Sequence, residues 1–85
     1  MSYQIRFDPY ARKQLGALDK PVRRRILAKI ETLAEDPRPP GALMLAGRHG
    51  DYRLRVGDYR IIYTIHNTAL IVLVIEVGHR REIYR

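Results

Sequence analysis

The chain contains no cysteine, so neither a disulfide framework nor a thiolate metal site is open to it, and a reducing compartment suits it. No apolar run reaches the roughly eighteen residues that a membrane-spanning helix needs, and no signal peptide is recognisable ahead of the first patterned segment. The expected location is therefore the cytoplasm, with no membrane partner. Carboxylates do not cluster, there is no His-x-x-x-His or Glu-x-x-His pairing, no glycine-rich phosphate loop and no nucleophile elbow. Those absences speak against metal-dependent hydrolysis, nucleotide hydrolysis and serine chemistry, and no cofactor or metal is expected. Lysine is missing from most of the chain: Lys13, Lys20 and Lys29 are the only three, and every later basic residue apart from histidine is arginine. Internal repeats, linkers and low-complexity tracts are also lacking.

What is present is charge of one sign. Lys and Arg number 16 against 9 Asp and Glu in 85 residues, a formal net charge of +7. Spread over so small a surface, that excess favours a polyanionic partner such as nucleic acid. The preference for arginine sharpens the expectation, because a planar guanidinium grips phosphate oxygens in pairs and an ammonium does not. The length allows one domain, residues 1–85, with one modest core.

The apolar pattern predicts an α+β fold. Tyr3, Ile5 and Phe7 alternate with Gln4 and Arg6, the period of a half-buried strand that stops at Asp8-Pro9. Asp8 is a helix cap and Pro9 suits a first turn, with Ala11, Leu15 and Leu18 on one side. Asp19 repeats the capping signal before Val22, Ile26, Ile30 and Leu33. Pro37, Pro39, Pro40 and Gly41 then make a stiff connector. Beyond it the pattern is β: a short strand near Leu43–Leu45, a loop from Gly47 to Gly50, and strands over Tyr52–Val56, Tyr59–His66 and Ala69–Val77. The last of these looks buried on both faces, and Gly78 should break it. The expected architecture is two N-terminal helices packed on a twisted antiparallel sheet in the order β-α-α-β-β-β-β, the first strand returning to pair with a later one.

Gly57-Asp58 and Asn67-Thr68 are the turn dipeptides of the sheet. A two-residue loop at Gly57-Asp58 sets Val56 opposite Tyr59, Arg55 opposite Arg60, Leu54 opposite Ile61 and Arg53 opposite Ile62. Arg53, Arg55 and Arg60 then share one face, while Tyr52, Leu54, Val56, Tyr59, Ile61 and Tyr63 face the helices. Like charges directly across a strand pair repel. Either a neighbouring carboxylate (Asp51, Asp58, Glu76 or Glu82) or a bound phosphodiester compensates them. The terminal run His79, Arg80, Arg81, Glu82, Ile83, Tyr84 and Arg85 adds further basic groups, one His and one Tyr.

Such an arginine face suits attack of an RNA 2′-hydroxyl on its own 3′ phosphate, with fixed cations holding the charge that grows on the phosphoryl oxygens. Proton transfer needs a titrating side chain, and Tyr84 and His79 are the candidates. Packing or base stacking is the competing role for each. His49 and His66 fall in a loop and beside a turn, where solvation is expected. Arg48, Arg81, Arg23, Arg24 and Lys29 are candidate substrate-binding residues on the same electrostatic ground.

Three stretches together resemble the RelE/ParE toxin superfamily of type II toxin-antitoxin systems: the helix pair ending in Leu33–Arg38, the run Gly50–Tyr63 and the tail Val77–Arg85. The middle run carries a basic-x-basic pair followed by Gly-x-Tyr-Arg, two apolar residues and Tyr, and the tail ending in Ile83-Tyr84 points to the RelE branch. The resemblance implies a RelE-like fold and a toxin that docks in the ribosomal decoding site against 16S rRNA and cuts mRNA without metal. It also implies restraint by an antitoxin whose helical segment covers the toxin. By motif position it assigns Arg53 and Arg55 to the basic pair, Arg60 and Arg80 to phosphate binding and the leaving group, and Tyr84 to the tail tyrosine. The best-studied members carry lysines at the basic pair, and arginine cannot replace them as a base. Two other functions fit the same scaffold: a ParE-like gyrase poison without nuclease chemistry, and an RNA- or ribosome-binding module that does not cut.

Overall fold

A computed structural model describes residues 2–47 and 50–79. Its elements follow the order β1 (Gln4–Phe7), α1 (Pro9–Gly16), α2 (Lys20–Thr32), β2 (Leu43–Met44), β3 (Asp51–Val56), β4 (Tyr59–His66) and β5 (Ile71–His79). Two helices lie on one face of a five-stranded sheet ordered β1-β5-β4-β3-β2. The α+β class and the element order are those expected.

Local chemistry accounts for the helix starts. The Asp8 carboxylate accepts a hydrogen bond from the Tyr10 backbone N–H at 2.9 Å, satisfying one of the donors a helix N-terminus leaves free. Asp19 also sits at a cap position, but its side chain makes no capping hydrogen bond. Buried Ala11 and Leu15 on α1, and Ile26 and Ile30 on α2 with Leu33 just beyond it, meet Leu54, Ile61, Tyr63, Val72, Val74 and Val77 of the sheet. Each such large apolar side chain taken fully out of water contributes about 1.5–3 kcal/mol.

The β3–β4 hairpin has the predicted register: Val56 opposes Tyr59, Arg55 opposes Arg60, Leu54 opposes Ile61 and Arg53 opposes Ile62. Gly57 takes φ +60, the positive value a tight two-residue turn demands at its first central position. A Cβ there would also lie 2.7 Å from the Arg25 guanidinium of α2. The backbone angle is what requires glycine here, since the Arg25 guanidinium is the end of a flexible side chain and can move aside.

The sheet departs from expectation in three ways. It is mixed rather than wholly antiparallel, because β1 pairs parallel to β5, with Ile5 opposite Val72 and Phe7 opposite Val74. The chain leaves β1 through both helices and re-enters at the far edge of the sheet, so the direction of β1 is set by helix packing and not by a hairpin. The β4–β5 turn is longer than Asn67-Thr68: β5 starts at Ile71, after Leu70 adopts φ 54. The Leu70 carbonyl accepts the Gln4 N–H at 2.8 Å, tying the turn to β1. Finally, β5 runs through Gly78 to His79, since Gly78 is paired with Arg60 on β4.

The strand β5 is not equally buried on both sides. Val72, Val74 and Val77 are fully buried toward the helices, whereas Leu73, Ile75 and Glu76 are half-buried. Their numbering breaks the period of two, and a register shift between Ile62 and Tyr63 restores it: Ile61 opposes Val77, while Tyr63 opposes Val74. A bulge of this kind absorbs one extra residue and keeps one apolar face continuous.

Candidate active site

The sheet face away from the helices carries the arginines. Register places Arg53, Ile62 and Glu76 in one row across β3, β4 and β5, and Arg55, Arg60 and Gly78 in the next. Directly opposed side chains in an antiparallel pair stand about 4.5–5.5 Å apart at Cβ, so the Arg53, Arg55 and Arg60 side chains rise from neighbouring points. Arg55 is exposed, Arg53 is half-buried, and Arg60 retains only 6% of its accessible surface. Gly78, opposite Arg60, contributes no side chain to this row. A guanidinium cannot shed its charge inside a protein, and burying one costs several kcal/mol unless polar partners surround it.

Two hydrogen-bonded supports keep the platform in place. Gln14 of α1 accepts the Val77 N–H through its side-chain oxygen at 2.7 Å, satisfying a donor of β5 beyond the end of β1. On the helix side, Tyr63 donates its hydroxyl to the Pro37 carbonyl at 2.8 Å and stacks on Tyr52 with ring centroids 5.7 Å apart. The Arg38 guanidinium reaches Tyr52 twice, donating from Nε to its hydroxyl at 2.9 Å and lying 5.4 Å from its ring centroid. That hydrogen bond is the main cause raising the Arg38 pKa, and burial pushes the Tyr63 phenol up to about 12. Tyr63 thus stays protonated at neutral pH, a fixed donor that clamps the proline connector to the back of β3 and β4. The sequence reading missed this cluster; the Tyr-x-Leu-x-Val spacing of Tyr52, Leu54 and Val56 marks Tyr52 as inward-facing but cannot reveal that the connector folds over it.

The other candidate residues fall in different places. His79 pairs with Tyr59 across β4 and β5 and meets its ring edge-on at 5.5 Å and 77°. Tyr59 packs against the core, so His79 lies on the helix face, across the sheet from Arg53, Arg55 and Arg60. Arg23 donates to the Leu18 and Gly16 carbonyls at 3.3 and 3.4 Å, closing the turn between the helices. Arg24 and Lys29 are exposed on α2, again on the helix side. Arg48, Arg80, Arg81 and Tyr84 lie outside the described residues. One residue on the arginine face escaped the sequence reading as a functional group: Glu76, whose placement beside Ile62 depends on the bulge. The uneven spacing of Val72, Val74 and Val77 was the available signal. Among the described residues no three of His, Asp and Glu gather into a metal-binding group, and no helix is long and apolar enough to cross a membrane.

Comparison with known proteins agrees with this geometry. Residues 5–84 match the family described as the ParE toxin of type II toxin-antitoxin systems. The chain is 34% identical over 88 residues to the mRNA interferase toxin RelE of Escherichia coli K12, covering 99% of this chain and 92% of that protein. It is 32% identical over 90 residues to toxin RelG of Mycobacterium tuberculosis, covering 100% and 99% respectively. Among solved structures, the toxin-antitoxin complex RelBE2 of Mycobacterium tuberculosis superposes with a TM-score of 0.84 at 26% identity, over 94% of this chain and 93% of that one. The intact Escherichia coli RelBE toxin-antitoxin complex gives 0.82 at 29% identity, over 92% and 96%. A mixed sheet backed by two helices, with its basic pair and Gly-x-Tyr-Arg hairpin in register, and a family match that spans nearly the whole sequence make this chain a member of the RelE/ParE superfamily of type II toxins.

Proposed function

We propose that this toxin is an endoribonuclease of the RelE kind, cutting messenger RNA on the ribosome without a metal ion and held in check by a cognate antitoxin. The observation that carries this reading is the pairing of Arg55 with Arg60, next to Arg53, on the sheet face away from the helices. Opposed like charges destabilise a sheet, and a phosphodiester laid across them relieves the repulsion. Likeness to a protein named as an mRNA interferase supplies independent support.

In this reading Arg53, Arg55 and Arg60 bind the scissile phosphate and the charge that builds on its oxygens, where loss of one fixed donor costs about 2.7–4 kcal/mol of transition-state stabilisation. Arg80 acts at the leaving group, and Tyr84 is the tail tyrosine that the family resemblance assigns to the site. Arg24, Lys29, Arg48 and Arg81 supply longer-range attraction to ribosomal RNA, whose strength falls with salt. The antitoxin is the partner of toxins in the related complexes, and an acidic, helical segment fits a surface of net charge +7.

The test is cleavage of a defined mRNA on programmed ribosomes in the presence of chelator, with ends mapped by primer extension. Cutting confined to the decoding codon, and lost in Arg60→Ala, Arg80→Ala and Tyr84→Phe, is the expected result. The match to a family described by its ParE member makes gyrase poisoning the second reading. Intact mRNA together with inhibited DNA supercoiling selects it.

A further inference from the structure

Attack by a 2′-hydroxyl requires a group to take its proton, and the arginines that line the site cannot do so. The lysines are no substitute, because Lys13 lies on α1 and Lys20 and Lys29 on α2, on the covered side of the sheet. Of the two candidates by sequence, His79 also belongs to that side, against Tyr59, and Tyr84 lies outside the described residues. The described arginine face offers two carboxylates. Asp51 opposes Thr64, one register row beyond Arg53 and two beyond the Arg55–Arg60 pair. Glu76 opposes Ile62, the residue that on its other side opposes Arg53. It is also the diagonal neighbour of Arg60, whose direct partner Gly78 is two residues further along β5. Diagonal neighbours on one face stand about 7–8 Å apart, within reach of long side chains.

Resting on the nuclease reading above, we infer that Glu76 is the general base of this toxin, taking the place that lysines of the basic pair hold elsewhere. A phosphate held by Arg53 and Arg60 has Glu76 at its flank, one strand from Arg60 and in the register row of Arg53. The Glu76 carboxylate accepts the proton of the 2′-hydroxyl as the 2′-oxygen bonds to phosphorus. The bond from phosphorus to the 5′-oxygen breaks, and that oxygen takes a proton from solvent water. Glu76 then returns its proton to solvent, and the products are a 2′,3′-cyclic phosphate and a free 5′-hydroxyl. The bulge in β5 is what allows this geometry, since it turns Glu76 outward while Val74 and Val77 both remain in the core.

The test compares wild type, Glu76→Gln and Glu76→Asp in single-turnover cleavage of ribosome-bound mRNA across a pH series, with ribosome binding and melting measured alongside. For Glu76→Gln we expect a fall on the order of 10²-fold or more, with ribosome binding and melting unchanged and the increase of rate with pH abolished. Glu76→Asp should retain part of the activity and the pH dependence. Cleavage by Glu76→Gln at the wild-type rate overturns the assignment. So does a slower variant that keeps the wild-type pH dependence, which marks Glu76 as a counter-charge for the arginines. A wild-type chain that leaves mRNA intact overturns the nuclease reading and this one with it, whereas the other two failures leave the nuclease reading standing.

Discussion

Replacing Tyr63 by Phe removes a single hydroxyl from the middle of the molecule and leaves the ring that stacks on Tyr52. The hydroxyl donates to the Pro37 carbonyl at 2.8 Å, and Tyr63 is fully buried. Deleting the donor strands a buried carbonyl, so the cost is the desolvation of an unsatisfied acceptor, about 1–3 kcal/mol at neutral pH. For a domain of this size that corresponds to a lower melting temperature by about 4–8 °C per kcal/mol. The same residue predicts a pH signature. Its phenol is raised from 10.0 to about 12 in the folded chain, so the folded state holds this proton through a range in which the unfolded state releases it. The stabilisation is complete below pH 10 and fades as pH climbs toward 12, by about 2–3 kcal/mol in all. Tyr63→Phe lacks that loss, so the stability gap between the two proteins should narrow as pH rises above 10. Urea unfolding followed by circular dichroism at pH 7, 10 and 11 measures it. A variant as stable as wild type at pH 7, or a gap that stays constant into alkali, would refute the account of the clamp.

Other substitutions probe the helices, the hairpin and the arginine face. Asp8→Ala should cost about 0.5–2 kcal/mol in urea unfolding because it removes a formed cap, while Asp19→Ala, with no capping hydrogen bond to lose, should cost clearly less. Gly57→Ala forces a side chain into a left-handed backbone and against Arg25; the backbone strain alone is about 1–2 kcal/mol, and a neutral result in thermal melting would contradict the turn geometry. Arg55→Ala, exposed and opposite Arg60, should leave folding intact while lowering the salt slope of RNA binding by about one phosphate contact. An unchanged slope in a titration against a single-stranded RNA would remove Arg55 from the interface.

Much of this protein is readable from local pattern. The Asp8-Pro9 start of α1, the core stripe of Ile26, Ile30 and Leu33, and the proline stop need only residues a few positions apart. The β3–β4 register follows from one glycine whose backbone angle a two-residue turn requires, and with it the shared face of Arg53, Arg55 and Arg60. Alternation then settles which side each residue takes, for as long as the strand stays regular.

Only tertiary structure decided the remainder. The parallel pairing of β1 with β5 depends on where two helices dock, and no turn dipeptide reports that. The bulge in β5 exists because Val72, Val74 and Val77 all bury toward the helices, a demand of the assembled core that no single strand expresses. It reverses parity along the strand, sending Glu76 to the arginine face and His79 to the other. Arg60 reads from its pattern as one arginine among several, and only the folded chain shows it to be buried. The local code is short-ranged because hydrogen bonds of helices and tight turns link residues close in sequence, whereas burial is a property of the whole packed surface.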